Sequence, residues 1–256
     1  MTDSTTLRAA VRVLSKVPEV GVLFWVVKVL STGMGETASD YLVKAFDPVI
    51  VVLLAAVAFF ACFVVQFRAP RYVPWRYWLL VTMVSVFGTM IADVAHIVVG
   101  IPYGASSLIF AVALTVVFIV WWRTERTLSI HSITTPRREL FYWATIIVTF
   151  ALGTAVGDFL ARTVGLGYLG SGLLCAVLIA VPAVVYRIRR TGAVLWFWVA
   201  YVLTRPLGAS FADWSAVSRA RGGLDLGTGP VTIVALIAII GLVAVLSVKH
   251  NAQKAL

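Results

Sequence analysis

One pattern occurs four times along the chain and limits what it can fold into. Each copy begins with an aromatic-Trp pair, carries a glycine ten positions after the Trp, and carries an aspartate fifteen positions after it. The copies are Phe24-Trp25 with Gly35 and Asp40, Tyr77-Trp78 with Gly88 and Asp93, Tyr142-Trp143 with Gly153 and Asp158, and Phe197-Trp198 with Gly208 and Asp213. Because the register never shifts, we expect one structural unit built four times.

The composition indicates a polytopic membrane protein and excludes an ordinary soluble domain. The 256 residues are 61% hydrophobic and 12% charged, with a mean hydropathy of +0.99. Eight apolar stretches can each cross a hydrocarbon core of ~30 Å at about 1.5 Å per residue. They cover 19–44, 48–67, 75–99, 104–122, 140–163, 167–186, 194–216 and 229–248. Because the backbone must satisfy its own hydrogen bonds in lipid, all eight are predicted to be helices.

Basic residues predict the orientation of this bundle. Of the 21 Lys and Arg residues, 15 lie before the first stretch, after the last, or in the connections that share their side. The opposite connections hold Lys44, Arg162, Arg219 and Arg221. The positive-inside rule then predicts that both termini lie in the cytoplasm. This topology accounts for the net charge of +10, so we predict no nucleic-acid partner.

The fold class predicted is an all-α polytopic membrane protein with eight transmembrane helices built from four parallel two-helix repeats. We predict a cytoplasmic segment over 1–18, repeats over 19–67, 75–122, 140–186 and 194–248, and a cytoplasmic tail over 249–256. The first helix of each repeat carries the Trp, Gly and Asp, whereas the second has no charge in its apolar core. Because intramembrane charges avoid lipid, we expect four inner and four outer helices with fourfold pseudo-symmetry. Twofold pseudo-symmetry stays open, because only the first and third repeats carry a base four residues after the Asp, namely Lys44 and Arg162.

Acidic and hydroxyl side chains recur on the inner helices and predict a cation site. Steps of three or four residues share one helix face, so the repeated aspartates should converge, with oxygen-bearing side chains one turn deeper. The predicted metal ligands are Glu36, Asp40, Asp93, Asp158, Asp213, Thr89 and Thr154. Such hard oxygen ligands suit Mg, Ca or Mn. Lys28 and Arg205 are predicted to compensate the acids' charge while no ion is bound.

The function predicted from these residues is transport of a divalent cation, coupled to protons. The chain shows no ATP-binding motif, so any pumping must use a gradient or a partner. We expect no enzymatic activity and no bound cofactor apart from the transported ion. Two alternatives stay open: a non-catalytic membrane protein that binds a partner protein, and an intramembrane enzyme in which two aspartates share a proton. A purely structural role, with the aspartates capping helix ends, also stays open.

Two further residue types have simpler predicted roles. The repeated glycines are expected to let inner helices pack closely. The aromatic-Trp pairs are expected to lie at the membrane interface as anchors.

The opening segment carries a family resemblance. The stretch KVPEVGVLFWVVKVLSTGMGETASDYLVK, residues 16–44, resembles a bacterial family of poorly characterised membrane-anchored proteins once guessed to regulate amylopullulanase. The match is strongest at Phe24-Trp25, Lys28, Gly35-Glu36 and Ser39-Asp40. The resemblance implies a protein of the bacterial inner membrane in which Lys28, Glu36 and Asp40 are important, and it implies manganese export.

Overall fold

The chain folds into eight long helices, and no strand occurs between residues 15 and 255, the part that the computed structural model describes. For residues 189 and 253–255 only the backbone is described, and most of the predicted segment 1–18 lies outside the described residues. The helices are α1 Val22–Ala45, α2 Pro48–Phe67, α3 Pro74–Asp93, α4 Tyr103–Glu125, α5 Pro136–Asp158, α6 Gly167–Arg189, α7 Ala193–Ala216 and α8 Thr228–Ala255. Short 3₁₀ turns cover Ile130–Ser132 and Arg219–Arg221.

Local sequence signals explain several helix starts. Pro48, Pro74 and Pro136 each stand in the first turn, where the missing N–H removes no helical hydrogen bond. Asp47 caps α2, since its carboxylate accepts hydrogen bonds of 3.0 Å from the backbone N–H groups of Val49 and Ile50.

Four helices form a closed inner ring, as predicted. Helix α1 packs on α3, α3 on α5, α5 on α7, and α7 returns to α1. Each outer helix packs mainly on the inner helix of the following repeat rather than on its own: α2 on α3, α4 on α5, α6 on α7, and α8 on α1. The four repeats are therefore interleaved around the ring, instead of standing side by side as separate hairpins.

The repeated glycines show why the inner helices approach so closely. Each glycine lies against the residue seven positions after the Trp in the next repeat: Gly35 against Ser85, Gly88 against Phe150, Gly153 against Arg205, and Gly208 against Thr32. A Cβ at any of the four would come within 2.7 Å of a neighbouring atom. The same contact recurs around the whole ring, so the predicted close packing at glycine is confirmed.

Seven helices are long and apolar enough to cross a membrane, namely all of those described except α1. Helix α1 has 24 residues but carries Lys28, Glu36, Asp40 and Lys44. It packs against α3, α7 and α8, which cover its charged centre. Eight apolar spans were predicted, and α1 is the one that does not qualify. Its enclosure by other helices explains why it tolerates so much charge.

Three of the four repeated Trp residues are buried, so the prediction that the aromatic-Trp pairs are interface anchors is wrong for these three, whereas Trp25 is half-buried. Trp78 and Trp143 are 1% exposed, and Trp198 is 4% exposed. Next to them, the hydroxyl groups of Tyr77 and Tyr142, on the neighbouring helices α3 and α5, lie 2.5 Å apart. Each Trp ring packs on the first aromatic ring of the preceding repeat, so the pairs face neighbouring inner helices instead of lipid. They form a packed aromatic layer at the end of the bundle where the inner helices begin.

Candidate cation site

Equivalent positions of the four repeats meet at one level of the inner ring. The residue eleven positions after each Trp is Glu36, Thr89, Thr154 or Ala209, and all four are buried. The hydroxyl groups of Thr89 and Thr154 each lie 3.5 Å from Glu36 Oε2. The predicted convergence of these three oxygen-bearing side chains is present, and only the fourth repeat contributes no oxygen there.

Arg205 lies on the axis of this level. Its Nη2 atom is 2.7 Å from Glu36 Oε2, 2.5 Å from Thr89 Oγ1 and 2.7 Å from Thr154 Oγ1. One guanidinium from the fourth repeat thus contacts a side chain from each of the other three. Its side chain is fully buried, so Arg205 and Glu36 form a buried ion pair. Truncating one partner of such a pair costs about 3–5 kcal/mol, because a buried charge is left alone.

The local sequence makes room for this arginine. Gly153 has no Cβ, and the Cβ and Cγ atoms of Arg205 fill the place where one would stand. Pro206 follows within α7 and has no N–H to donate to the preceding turn, which loosens the helix beside the arginine.

Lys28 lies one layer nearer to the start of the inner helices and contacts no described acid. Its Nζ atom is 4.3 Å from the ring centroid of Phe150 and 4.4 Å from that of Tyr201. It is 1% exposed, and within residues 15–255 it has no hydrogen-bond partner. The predicted charge compensation is therefore divided unequally: Arg205 pairs with Glu36, whereas Lys28 rests on two aromatic faces.

The four repeated aspartates, called the outer aspartates below, lie between the Glu36 level and the end of the bundle where the inner helices finish. They do not form one ligand shell. Asp40 pairs with Lys44, and Asp158 Oδ1 lies 3.1 Å from Arg162 Nε. Asp93 Oδ2 lies 3.5 Å from the hydroxyl of Ser39. Asp213 is buried and forms no salt bridge with any residue described.

These aspartates nevertheless interact electrostatically with Glu36 at the centre of the ring. Glu36 repels Asp93, Asp158 and Asp213. Over residues 15–255, however, no group of three or more His, Cys, Asp or Glu side chains is close enough to hold a metal ion. The seven predicted ligands are thus split between an inner set around Arg205 and an outer set of aspartates. The sequence predicted that Arg205 compensates the acids' charge, but not that its guanidinium contacts Glu36, Thr89 and Thr154 at once.

Two π-helical turns were missed by sequence reasoning. Val94–Val98 follows Asp93, and Phe159–Thr163 follows Asp158, so both lie at the outer end of the site. They carry His96 and Arg162, which converge on Tyr103: His96 stacks on its ring, and Arg162 Nη1 donates to its hydroxyl at 2.7 Å. π-Turns within α-helices are frequent at functional sites, but residue type alone does not signal them.

The fold and the buried polar centre define an all-α polytopic membrane protein with four internal repeats around one axis. The chain belongs to a protein family described as a repeat of unknown function, DUF347, which matches residues 23–72, 76–127, 141–191 and 196–251. Each matched segment covers most of one inner helix and of the outer helix that follows it. Neither manganese export nor a link to amylopullulanase follows from this match. Comparisons with curated proteins and with solved structures gave no match.

Proposed function

We propose that this protein transports a divalent cation along the axis of its inner ring, with the Glu36 carboxylate as the central ligand. One observation carries the proposal: a buried carboxylate stands on the axis, joined by two hydroxyl oxygens from other repeats. A buried acid in a membrane protein marks an ion or substrate pathway by default. Carboxylate and hydroxyl oxygens are the donors that hard divalent cations such as Mn²⁺ prefer.

Arg205 acts in this proposal as an internal substitute for the ion. It places a positive charge on the same oxygens that the cation would use, so the buried Glu36 has a counter-charge between transport events. A cation and the guanidinium repel each other, so they cannot share Glu36 Oε2. Binding of the ion must therefore displace Arg205, and its return expels the ion.

The outer aspartates extend the pathway from Glu36 toward the end of the bundle where the inner helices finish. Asp93, Asp158 and Asp213 come from three different repeats, and Asp93 and Asp213 have no salt bridge within residues 15–255. Their negative charges attract cations to this end of the axis. With both termini in the cytoplasm of a bacterial cell, as the basic residues predict, this end faces outward, and export of Mn²⁺ in exchange for protons is the specific activity that we propose.

Transport by purified protein in liposomes tests this function. The liposomes contain a Mn²⁺-sensitive dye, and external Mn²⁺ is added across a pH gradient. Glu36→Gln should abolish uptake and Asp213→Asn should reduce it, because both keep side-chain shape and remove a charge. The matched control is Asp225→Asn, since Asp225 is exposed in an outer loop with φ +65°, a conformation that Asn tolerates.

Two results would contradict the proposal. One is a lack of Mn²⁺, Mg²⁺ and Ca²⁺ transport by folded wild-type protein. The other is Glu36→Gln protein that transports as fast as the Asp225→Asn control. Either result would favour the alternative that this is a non-catalytic membrane protein that binds a partner protein.

A further inference from the structure

Lys28 lies across the axis one layer from the Arg205–Glu36 pair. It projects from α1, and its Nζ atom contacts the ring of Phe150 on α5, the helix on the opposite side of the ring, and that of Tyr201 on α7. The equivalent residues of the other repeats are Val81, Ile146 and Tyr201, all buried. Lys28 is therefore the one residue of this layer that carries a charge, and it stands on the proposed pathway.

The Phe150 ring links the two buried cations. Its centroid is 4.3 Å from Lys28 Nζ and 5.3 Å from Arg205 Cζ. Arg205 also acts on Lys28 by direct electrostatic repulsion. Two aromatic faces can hold an ammonium group by cation–π attraction, but they offer it no hydrogen-bond acceptor. The charge on Lys28 is thus sensitive to the position of Arg205 and to whether Glu36 neutralises the Arg205 guanidinium.

We propose that Lys28 is the group that releases a proton when a cation binds at Glu36; this rests on the proposed function. While Arg205 is neutralised by Glu36, the Lys28 ammonium keeps its proton. When a divalent cation takes Glu36, Arg205 loses its counter-charge and its repulsion of Lys28 rises. One N–H bond of Lys28 then breaks, the electron pair stays on nitrogen, and the proton passes to water. Return of Arg205 to Glu36 restores the ammonium.

The surroundings contain few other groups that could do this. Two groups of α7 face Lys28, namely the phenol of Tyr201 and the guanidinium of Arg205. The hydroxyl pair of Tyr77 on α3 and Tyr142 on α5 lies in the adjoining aromatic layer. Phenols stay protonated near neutral pH and an arginine does not lose its proton in proteins. A lysine readily changes its protonation when burial and neighbouring charge change, so Lys28 is the group suited to exchange a proton.

Proton release during metal binding tests the proposal. Purified protein in weakly buffered detergent solution receives MnCl₂ at pH 7, a pH-sensitive dye follows released protons, and calorimetry gives the Mn²⁺ affinity. Wild type should release about one more proton per bound Mn²⁺ than Lys28→Met does. Lys28→Met should still bind Mn²⁺, because the methionine side chain fills the same space and leaves Glu36 intact. Lys249→Met, at an exposed lysine of α8, should behave as wild type.

The outcomes separate this inference from the function on which it rests. If wild type does not bind Mn²⁺, the proposed function fails. If wild type and Lys28→Met bind Mn²⁺ and release equal numbers of protons, only the role of Lys28 fails. If Lys28→Met is unfolded, Lys28→Arg provides the test, since arginine keeps the charge and cannot release the proton. Proton release by Lys28→Arg equal to that of wild type would overturn the inference.

Discussion

Gly153 lies directly against Arg205, at a distance where a Cβ on the glycine would stand 2.2 Å from Arg205 Cγ. The same contact occurs at the other three positions around the ring, but only here is the neighbour the axial cation. The glycine that brings two helices together therefore also decides where the guanidinium lies. Helix packing and the charge arrangement of the site are coupled through this contact.

Gly153→Ala should destabilise the protein and disturb the site. The neighbouring atoms are the stem of Arg205 and Pro206 Cδ, which cannot easily move aside. Overpacking of this kind costs typically ~1–3 kcal/mol. The measurement is the midpoint of thermal unfolding in detergent. Gly241→Ala is the matched control, because no atom lies within 4 Å of where its Cβ would stand. Equal midpoints for the two variants would contradict the close packing.

The Arg205–Glu36 pair should show strong coupling in a double-mutant cycle. Arg205→Met and Glu36→Gln should each lower stability by about 3 kcal/mol or more, because each leaves a buried polar or charged group without its partner. The double variant should be more stable than the sum of the single effects predicts. Unfolding in SDS–detergent mixtures gives the four free energies. Additive effects would show that the two side chains do not interact.

The cyclic arrangement predicts a specific cross-link between the first and last repeats. The hydroxyl oxygens of Thr37 on α1 and Thr232 on α8 lie 2.8 Å apart. Cysteines at both positions should form a disulfide readily, in a background where Cys62 and Cys175 are replaced by alanine. Gel mobility before and after reduction detects it. A matched pair at Thr37 and Ser247, about four turns further along α8, should stay reduced. Failure of the Thr37–Thr232 pair to cross-link would contradict the closure of α8 onto α1.

Much of the fold could be predicted from the sequence because the Trp, Gly and Asp recur in one register. That register placed the inner helices, their glycine contacts and the common level of Glu36, Thr89 and Thr154. The interleaving of repeats was not predictable. An apolar outer helix could pack equally well on the inner helix of its own repeat or on that of the next, and its sequence does not distinguish the two. The burial of Trp78, Trp143 and Trp198 arises from aromatic contacts between neighbouring inner helices, so the prediction that they anchor the protein at the interface was wrong.

The site was predictable only in part. Residue type identified Glu36 and Arg205 as opposite charges in one bundle, but their contact depends on the room that Gly153 leaves. The position of Lys28 between Phe150 and Tyr201 depends on three helices at once, and no local pattern encodes it. The π-turns after Asp93 and Asp158 likewise arise from packing rather than from a characteristic residue.

An anomalous-scattering map from crystals of the wild-type protein soaked in MnCl₂ tests the central claim most directly. We predict one peak at the axis within coordination distance of a Glu36 carboxylate oxygen, with the Arg205 guanidinium moved away from Glu36. Glu36→Gln crystals soaked in the same way should lack that peak. Mn²⁺ found only at surface carboxylates, with the 2.7 Å contact between Arg205 and Glu36 intact, would contradict the account.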